Sequence, residues 1–357
     1  MIVVGIDPHK KTHTAVAVDG ATGAEVAALT VKARTKGHER LLQWARALDS
    51  ERLFAVEDCR HVSGNLQRFL LARGERMKPV PPKLMAGVRR GARTRGKSDP
   101  IDARAVAHAA LRHPELPQAH LEGVDRDVRL LLDHREDLVT ERTRMQNRLR
   151  WHLHDLDPGF EVPAGGLDRY RWLDRTEAHL EAMEQSVQVR IALDEVRRIR
   201  ELTREANHMQ GELETLIRLV APELLAFRGC GALTAAKILG ETGGVRRFSS
   251  EAAFAMHVGP GPLEVFSGER QRHRLNRSGN RQLNAALHRI ALTQLRIHPP
   301  AQAFLQRKRQ EGKAKREALR CLKRHLARAV YKTLLTIELR REREMTDTVS
   351  EAAEVAA

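Results

Sequence analysis

The order of short apolar runs and turns over the first hundred positions limits the fold more than anything else in this chain. Ile2-Val3-Val4-Gly5-Ile6 is a continuous apolar run of strand length, the pattern of a buried strand, and Asp7 closes it. Residues 13–19 are rich in strand formers, and Gly20 and Gly23 turn the chain into a third run over 25–31. A helix over 38–48 follows, then a strand over 53–56 that ends at Glu57, a helix near 62–72, and a short strand over 77–80 closed by Pro81-Pro82. Asp99 opens a helix that runs to about Leu111. Three strands joined by turns, then strands alternating with helices, predict a mixed sheet covered by helices: an α/β domain over 1–117.

The rest reads as helical. Over 125–219 the chain is heavily charged, with Val128, Leu131, Leu132, Leu138, Met145 and Leu149 forming a stripe. Residues 158–166 break it, and a second helical stretch is expected over 177–219. Long charged helices with a narrow apolar seam pair with one another, so 118–221 is expected to be a coiled-coil-like hairpin serving as linker and oligomerisation arm. Residues 222–343 are expected to form a mainly α C-terminal domain, compact and Gly-rich to 298 and helical over 300–343. Residues 344–357, acidic and rich in small residues, are expected to be a disordered tail.

Charge narrows the function. Lys and Arg total 62 against 46 Asp and Glu, a formal net charge of +16, which favours a polyanionic partner. No apolar run approaches the roughly 20 residues that cross a bilayer, and no secretory signal is visible, so no membrane partner is expected. Cys59, Cys230 and Cys321 are odd in number and far apart, which suggests neither a disulfide framework nor a zinc site; a cytoplasmic setting is the expectation. Aromatics are only 4%, which argues against base stacking on single strands as the main binding mode and for reading duplex backbone and shape.

The chemistry-bearing residues are acidic. Asp7 and Glu57 sit where strands stop, and Asp99 and Asp102, three apart, share one helical face. Four carboxylates meeting at one point repel unless cations lie between them; two Mg²⁺ ions about 4 Å apart would clamp a phosphodiester for in-line displacement. Each also has a plainer reading: Asp99 before Pro100 suits an N-cap, Asp102 favours the helix dipole, Asp7 suits a turn, and Asp58 competes with Glu57.

Gly5-Ile6-Asp7 with the hairpin after it, Val56-Glu57, and the run from Lys97 to Arg104 with Asp99-Pro100-Ile101-Asp102 at its centre resemble the DEDD motif of a family of insertion-sequence transposases, relatives of which invert pilin genes. Asp7, Glu57, Asp99 and Asp102 match the pattern one for one; Pro100 stands where many relatives carry Lys, a change that a helix start accepts. The resemblance implies a RuvC-like N-terminal domain of the ribonuclease H fold that holds Mg²⁺ on these four carboxylates.

Residues 91–98 also satisfy the phosphate-loop pattern G-x-x-x-x-G-K-[ST], but Arg89 and Arg90 precede it where an apolar strand is required, and Asp99 follows it. Arg89, Arg90, Arg93, Arg95 and Lys97 are instead expected to form a loop that touches a nucleic-acid backbone. Gly229-Cys230-Gly231 enters a helix, a turn similar to the helix-hairpin-helix element of DNA-binding proteins, and an ordinary tight turn fits it as well.

Further on, Gly259-Pro260-Gly261-Pro262 precedes Phe266-Ser267-Gly268, and Arg270, Arg272, Arg274, Arg277 and Arg281 crowd in after it around Gly279-Asn280. Pro262, Ser267, Gly268, Gly279, Asn280 and Arg281 are similar to the second domain of the same family, which implies that Ser267 is the nucleophile. The residues alone favour a Ser-Gly turn; Ser249, Ser250 and Ser278 are neighbouring alternatives, and no His-Asp partner is apparent beyond His257 and His273. Lys313 and Lys315 belong to a basic run that leads into an amphipathic helix with Leu319, Leu322, Leu326, Val330 and Leu334.

The expectation is therefore a DNA transposase or site-specific recombinase. By the resemblance it acts through a phosphoserine–DNA intermediate, is guided by a structured bridge RNA, and works as a homo-oligomer, a dimer or a tetramer on DNA, with composite sites. The rivals are a RuvC-like endonuclease that cuts branched DNA with metal and water, and a non-catalytic nucleic-acid-binding protein.

Overall fold

The structure, a computed structural model, describes residues 1–58, 60–82, 84–85, 98–114, 116, 118–119, 123–267, 270–275 and 279–355. By compactness the chain divides into two units: residues 1–123, 243–291 and 299–357 form one, and 124–242 with 292–298 form the other.

In the first unit, β1 (Ile2–Pro8), β2 (Thr12–Asp19), β3 (Glu25–Lys32), β4 (Arg52–Glu57) and β5 (Met77–Val80) make one sheet of order β3-β2-β1-β4-β5. The β1–β2 and β2–β3 pairs are antiparallel, and the β1–β4 and β4–β5 pairs parallel. This is the mixed sheet that the strand order predicts, and it is consistent with a ribonuclease H-like domain. Every residue of β1 is buried because the sheet is covered on both faces. Ile2, Val4 and Ile6 pack with α1 (Thr35–Leu48) and α2 (Arg60–Leu71) through Leu41, Leu42, Leu66 and Leu70. Val3 packs on the other side with α3 (Asp99–Arg112), through Ala103, Val106 and Ala107. Side chains alternate along a strand, so Val3, Gly5 and Asp7 share the α3 face.

The buried ring of His38 on α1 stacks on that of His13 on β2, with centroids 5.2 Å apart. Burial, aided by the His38 charge, pushes His13 down to about 4. A histidine depressed in the folded state is neutral there while the unfolded chain takes up its proton, so stability is full above about pH 6.5 and falls as the pH drops toward 4. The unfolding temperature of wild type, measured against His13→Gln, is expected to decline across that window; a constant difference would contradict it.

In the second unit, α4 (Val124–Leu156) and α6 (Val187–Val220) form the expected antiparallel hairpin. Arg135 reaches Gln210 (2.9 Å), and Arg198 reaches Glu141 (2.8 Å). Leu149, Leu153, Val196 and Ile199 form one part of its seam and Leu138, Leu202 and Ala206 another. The single helix expected over 177–219 is in fact two, α5 (Tyr170–Glu181) and α6, because Ser186 caps α6 by accepting from the Val189 amide (3.2 Å). The short helix α7 (Pro222–Leu225) and α8 (Ala232–Thr242) follow.

The remaining elements of the first unit are α9 (Glu251–Val258), a two-stranded antiparallel hairpin of β6 (Pro262–Ser267) and β7 (Arg270–Leu275), α10 (Arg281–Ile297, whose last turns from residue 292 belong to the second unit), α11 (Pro299–Gln310) and α12 (Lys315–Val355). Three sequence expectations change here. Residues 262–275, expected within a mainly α domain, form a hairpin on either side of the Ser-Gly step, and Arg270, Arg272 and Arg274 recur along its second strand with period two. The helix expected over 300–343 is split at Gly312, whose φ of +84° ends α11. The acidic tail continues α12 to Val355, because Ala and Glu are strong helix formers. Among the described residues no helix is long and apolar enough to cross a membrane.

Candidate functional site

The parallel register of β1 and β4 runs to Ile6↔Val56, so Asp7 and Glu57 follow side by side at the C-terminal ends of two neighbouring central strands. Strand alternation puts both on the face covered by α3. The first turn of α3 carries Asp99 and Asp102. The helix lies close on the sheet because residue 5 has no side chain: a Cβ at Gly5 would strike the Ala103 carbonyl oxygen and stand 2.5 Å from the Ala107 nitrogen.

The carboxylates act on one another. Asp7 is 5% exposed. Burial is the main reason its carboxyl is pushed up to about 6; His9 pulls it down, while Glu57, Asp102 and Asp99 push it further up. Asp102 is buried and Asp99 exposed. The capping alternative for Asp99 does not hold: Ser98 is the extended N-cap, its side chain makes no capping bond, and Asp99 is the first helical residue.

His9 joins this cluster. One ligand atom each from Asp7, His9 and Asp99 lie within 4.8 Å of one another, and His9 Nδ1 is 3.8 Å from Asp7 Oδ2. Two carboxylate oxygens and an imidazole suit a divalent cation, and the raised Asp7 pKa marks a place where positive charge is wanting. His9 carries little signal in the sequence beyond its place two residues after the strand-end Asp7, in the basic turn His9-Lys10-Lys11.

Ser267 is the last residue of β6 and is registered opposite Arg270; Arg272 is opposite Val265, and Arg274 opposite Leu263. The base of this hairpin is tied shut. The Asn280 amide donates to the His257 carbonyl (2.6 Å), and the Asn280 side chain accepts from the Gln282 and Leu283 amides, capping α10. A Cβ at Gly279 would stand 2.8 Å from Gly259 Cα and the His257 oxygen, so the Gly-Asn pair fixes where the hairpin begins and ends. Arg281 opens α10, Lys315 opens α12, and Lys313 precedes it. In the second unit Gly229 adopts φ +85°, and Gly231 directly precedes α8. Arg89, Arg90, Arg93, Arg95, Lys97, Gly268, Arg277 and Ser278 lie outside the described residues.

The fold and site are consistent with a ribonuclease H-like enzyme domain, and relatives give the class, a transposase. A DEDD-type family profile described as a transposase matches residues 4–158, and a second, the transposase IS116/IS110/IS902 family, matches residues 221–306. The chain is 27% identical to the uncharacterized 44.8 kDa protein of insertion element IS116 from Streptomyces clavuligerus, over 90% of this chain and 92% of that one. It is 24% identical to the uncharacterized 42 kDa protein of insertion element IS900 from Mycobacterium paratuberculosis, over 74% of this chain and 78% of that one. The chain belongs to the IS110/IS116 family of insertion-sequence transposases. Membership makes it a DNA-cutting and rejoining enzyme with DNA as its partner.

Proposed function

We propose that the chain is a recombinase that cuts and rejoins DNA with Mg²⁺ held by Asp7, Glu57, Asp99 and Asp102 and with Ser267 as nucleophile. The observation that carries the metal site is the buried Asp7 carboxyl, raised to about 6 amid three other carboxylates. A divalent ion bound there neutralises these groups and polarises the scissile phosphate. The chain's own residues do the rest. Asp7 and Glu57 anchor from the rigid sheet, Asp99 and Asp102 close from the helix, and His9 lies at the rim. Ser267 Oγ bonds to phosphorus as the bond to the departing strand oxygen breaks, and the serine proton passes to that oxygen. Arg270, Arg272, Arg274 and Arg277 stabilise the charge on the pentacovalent phosphorus.

Around this core the reading assigns 1–117 to the metal domain, 118–221 to linkage and oligomerisation, and 222–343 to the serine domain. The ribonuclease H-like fold of the first, a helix-hairpin-helix-like contact at Gly229 and Gly231, and backbone contacts from Arg281, Lys313 and Lys315 belong to the same reading. So does a homo-oligomer in which Ser267 of one protomer meets the carboxylates of another. Duplex shape carries little sequence information, so target choice falls to a bridge RNA, which sequencing of co-purified RNA would identify.

The test is a covalent adduct. Full-length protein with its co-purified RNA, incubated with nicked DNA and Mg²⁺, is expected to yield a denaturant-stable protein–DNA adduct that maps to the peptide of Ser267 and is missing in Ser267→Ala. Mg²⁺-dependent cleavage without any adduct would replace the serine by water, as in a branched-DNA endonuclease. No cleavage under any metal would leave a nucleic-acid-binding protein.

A further inference from the structure

A cavity of about 300 Å³ lies in the first unit between the Gly259–Pro262 loop and helices α11 and α12. Its wall is apolar where the loop contributes Pro260 and Pro262 and where α12 contributes the Cys321 thiol. Its rim is cationic: Lys308 from α11, Lys313 from the connecting turn, and Arg320 and Arg324 from α12, against one carboxylate, Glu317. Lys308 pairs with Glu311 (2.7 Å) and Arg324 with Glu251 (2.6 Å), which fixes their stems. The Arg320 guanidinium has no ion pair or hydrogen bond among the described residues, and Lys313 lies 3.7 Å from Glu317, a long ion pair. The imidazole of His325, one helical turn beyond Cys321, completes the lining.

Size and chemistry select the occupant. At about 30 Å³ per water, a lone phosphate would leave most of this space unfilled, and an uncharged apolar ligand would leave the rim unanswered. A planar apolar body carrying an anion satisfies both. Sequence adds a second reason: Pro262, in the cavity wall, is the first residue of β6, and Ser267 is its last. Whatever seats here is therefore held at the start of the strand that presents Ser267.

We propose that this cavity takes a single unpaired nucleotide of a bound strand, its base against Pro260, Pro262 and Cys321 and its phosphate on Arg320 and Lys313. The proposal rests on the nucleic-acid reading above and adds an unpaired position to it. It asks for one pocket rather than a stacking platform, in keeping with the scarcity of aromatic residues, and single bases can leave a duplex stack to enter a protein pocket, at the least cost when the base is unpaired. Capture here would hold the strand in register with Ser267.

Cys321 makes the test direct. Full-length wild-type protein is alkylated with iodoacetamide alone, with a paired DNA duplex, with the same duplex carrying a one-nucleotide bulge, with the corresponding bulged RNA, and with free AMP; peptide mapping then reads Cys321. Cys230, buried and with its thiol pushed up to about 12, is the internal control. Bulged nucleic acid is expected to slow Cys321 alkylation about tenfold relative to the paired duplex, and the protected sugar type names the strand. Cys321→Trp, which fills the cavity, and Arg320→Gln, which clears its rim, should each lose the preference for bulged over paired substrate while keeping affinity for the paired duplex. Equal protection by bulged and paired duplexes, both bound, overturns the pocket and leaves the nucleic-acid reading standing. Protection by AMP as strong as by the bulge overturns the strand as its source. Failure to bind any duplex overturns both readings.

Discussion

Replacing Asp7 with asparagine is expected to abolish Mg²⁺-dependent strand cleavage and, in the same protein, to raise the thermal stability of the metal-free chain. The two effects share one cause. Asp7 is buried on the α3 face of the sheet, and its carboxyl is pushed up to about 6, first by burial and then by Glu57, Asp102 and Asp99 against the pull of His9. An acid raised in the folded state is costly to ionise there: the folded chain is favoured while the group is protonated, stability falls as the pH rises from about 4 to 6, and the whole penalty is present above 6. A shift of this size corresponds to about 2–3 kcal/mol at pH 7.5. Asparagine keeps the shape and removes the charge, so Asp7→Asn should melt a few degrees higher than wild type at pH 7.5 and at the same temperature near pH 4. Mg²⁺ should raise the melting temperature of wild type and leave the variant unmoved, because ions stabilise only the state that binds them. Cleavage should fall by roughly a thousandfold or more, the scale on which a metal-held phosphoryl-transfer site depends on its ligands. A variant that melts lower than wild type at pH 7.5, or that still responds to Mg²⁺, would show that Asp7 is not where the charge is stored.

This combination of instability and function is most legible at the strand ends, with the Asp99/Asp102 spacing beside them. The run Ile2–Ile6 is apolar at every position, so only a strand covered on both faces satisfies it, and an aspartate that stops such a strand is conspicuous. Glu57 is legible for the same reason. The side chain's direction is not: that Asp7 faces α3 follows from Val3 packing on that helix, a tertiary fact. His9 was invisible because a histidine in a polar turn has no partner until the α3 start arrives from ninety residues away. The capping alternative for Asp99 is hard to judge from sequence because Ser98 and Asp99 are both good capping residues, and the choice between them depends on where helical backbone angles begin. The hairpin over 262–275 is hard to see in the sequence because its strands are only six residues each, one of mixed character and the other alternating arginine with polar residues, and the glycines and prolines around them dominate the pattern. What sequence shows least is distance: that Gly279 abuts Gly259 and closes the hairpin's base emerges only from packing.

The same dependence on packing sets the second large effect, at a residue with no chemistry of its own. Gly5→Ala adds one methyl group to β1, two positions before Asp7. That Cβ would strike the Ala103 carbonyl oxygen, stand 2.5 Å from the Ala107 amide nitrogen and 2.8 Å from the Ala107 Cβ. Two of the three obstacles are backbone of α3, so no rotamer relieves them and the helix must lift off the sheet. The cost in stability is expected to be about 3 kcal/mol. The cost in function should be larger in proportion, since α3 carries Asp99 and Asp102 toward the strand that carries Asp7, and a displacement of about 1 Å in such a constellation lowers the rate about a hundredfold. Cleavage assays and thermal melts on the variant measure the two together. The double variant Gly5→Ala/Ala107→Gly separates the causes: it removes the side-chain contact and leaves both backbone contacts, so neither stability nor cleavage should return. Full rescue by Ala107→Gly would mean that β1 and α3 touch through side chains alone, and wild-type cleavage in the single variant would mean that the carboxylates of the strand and of the helix do not work as one site.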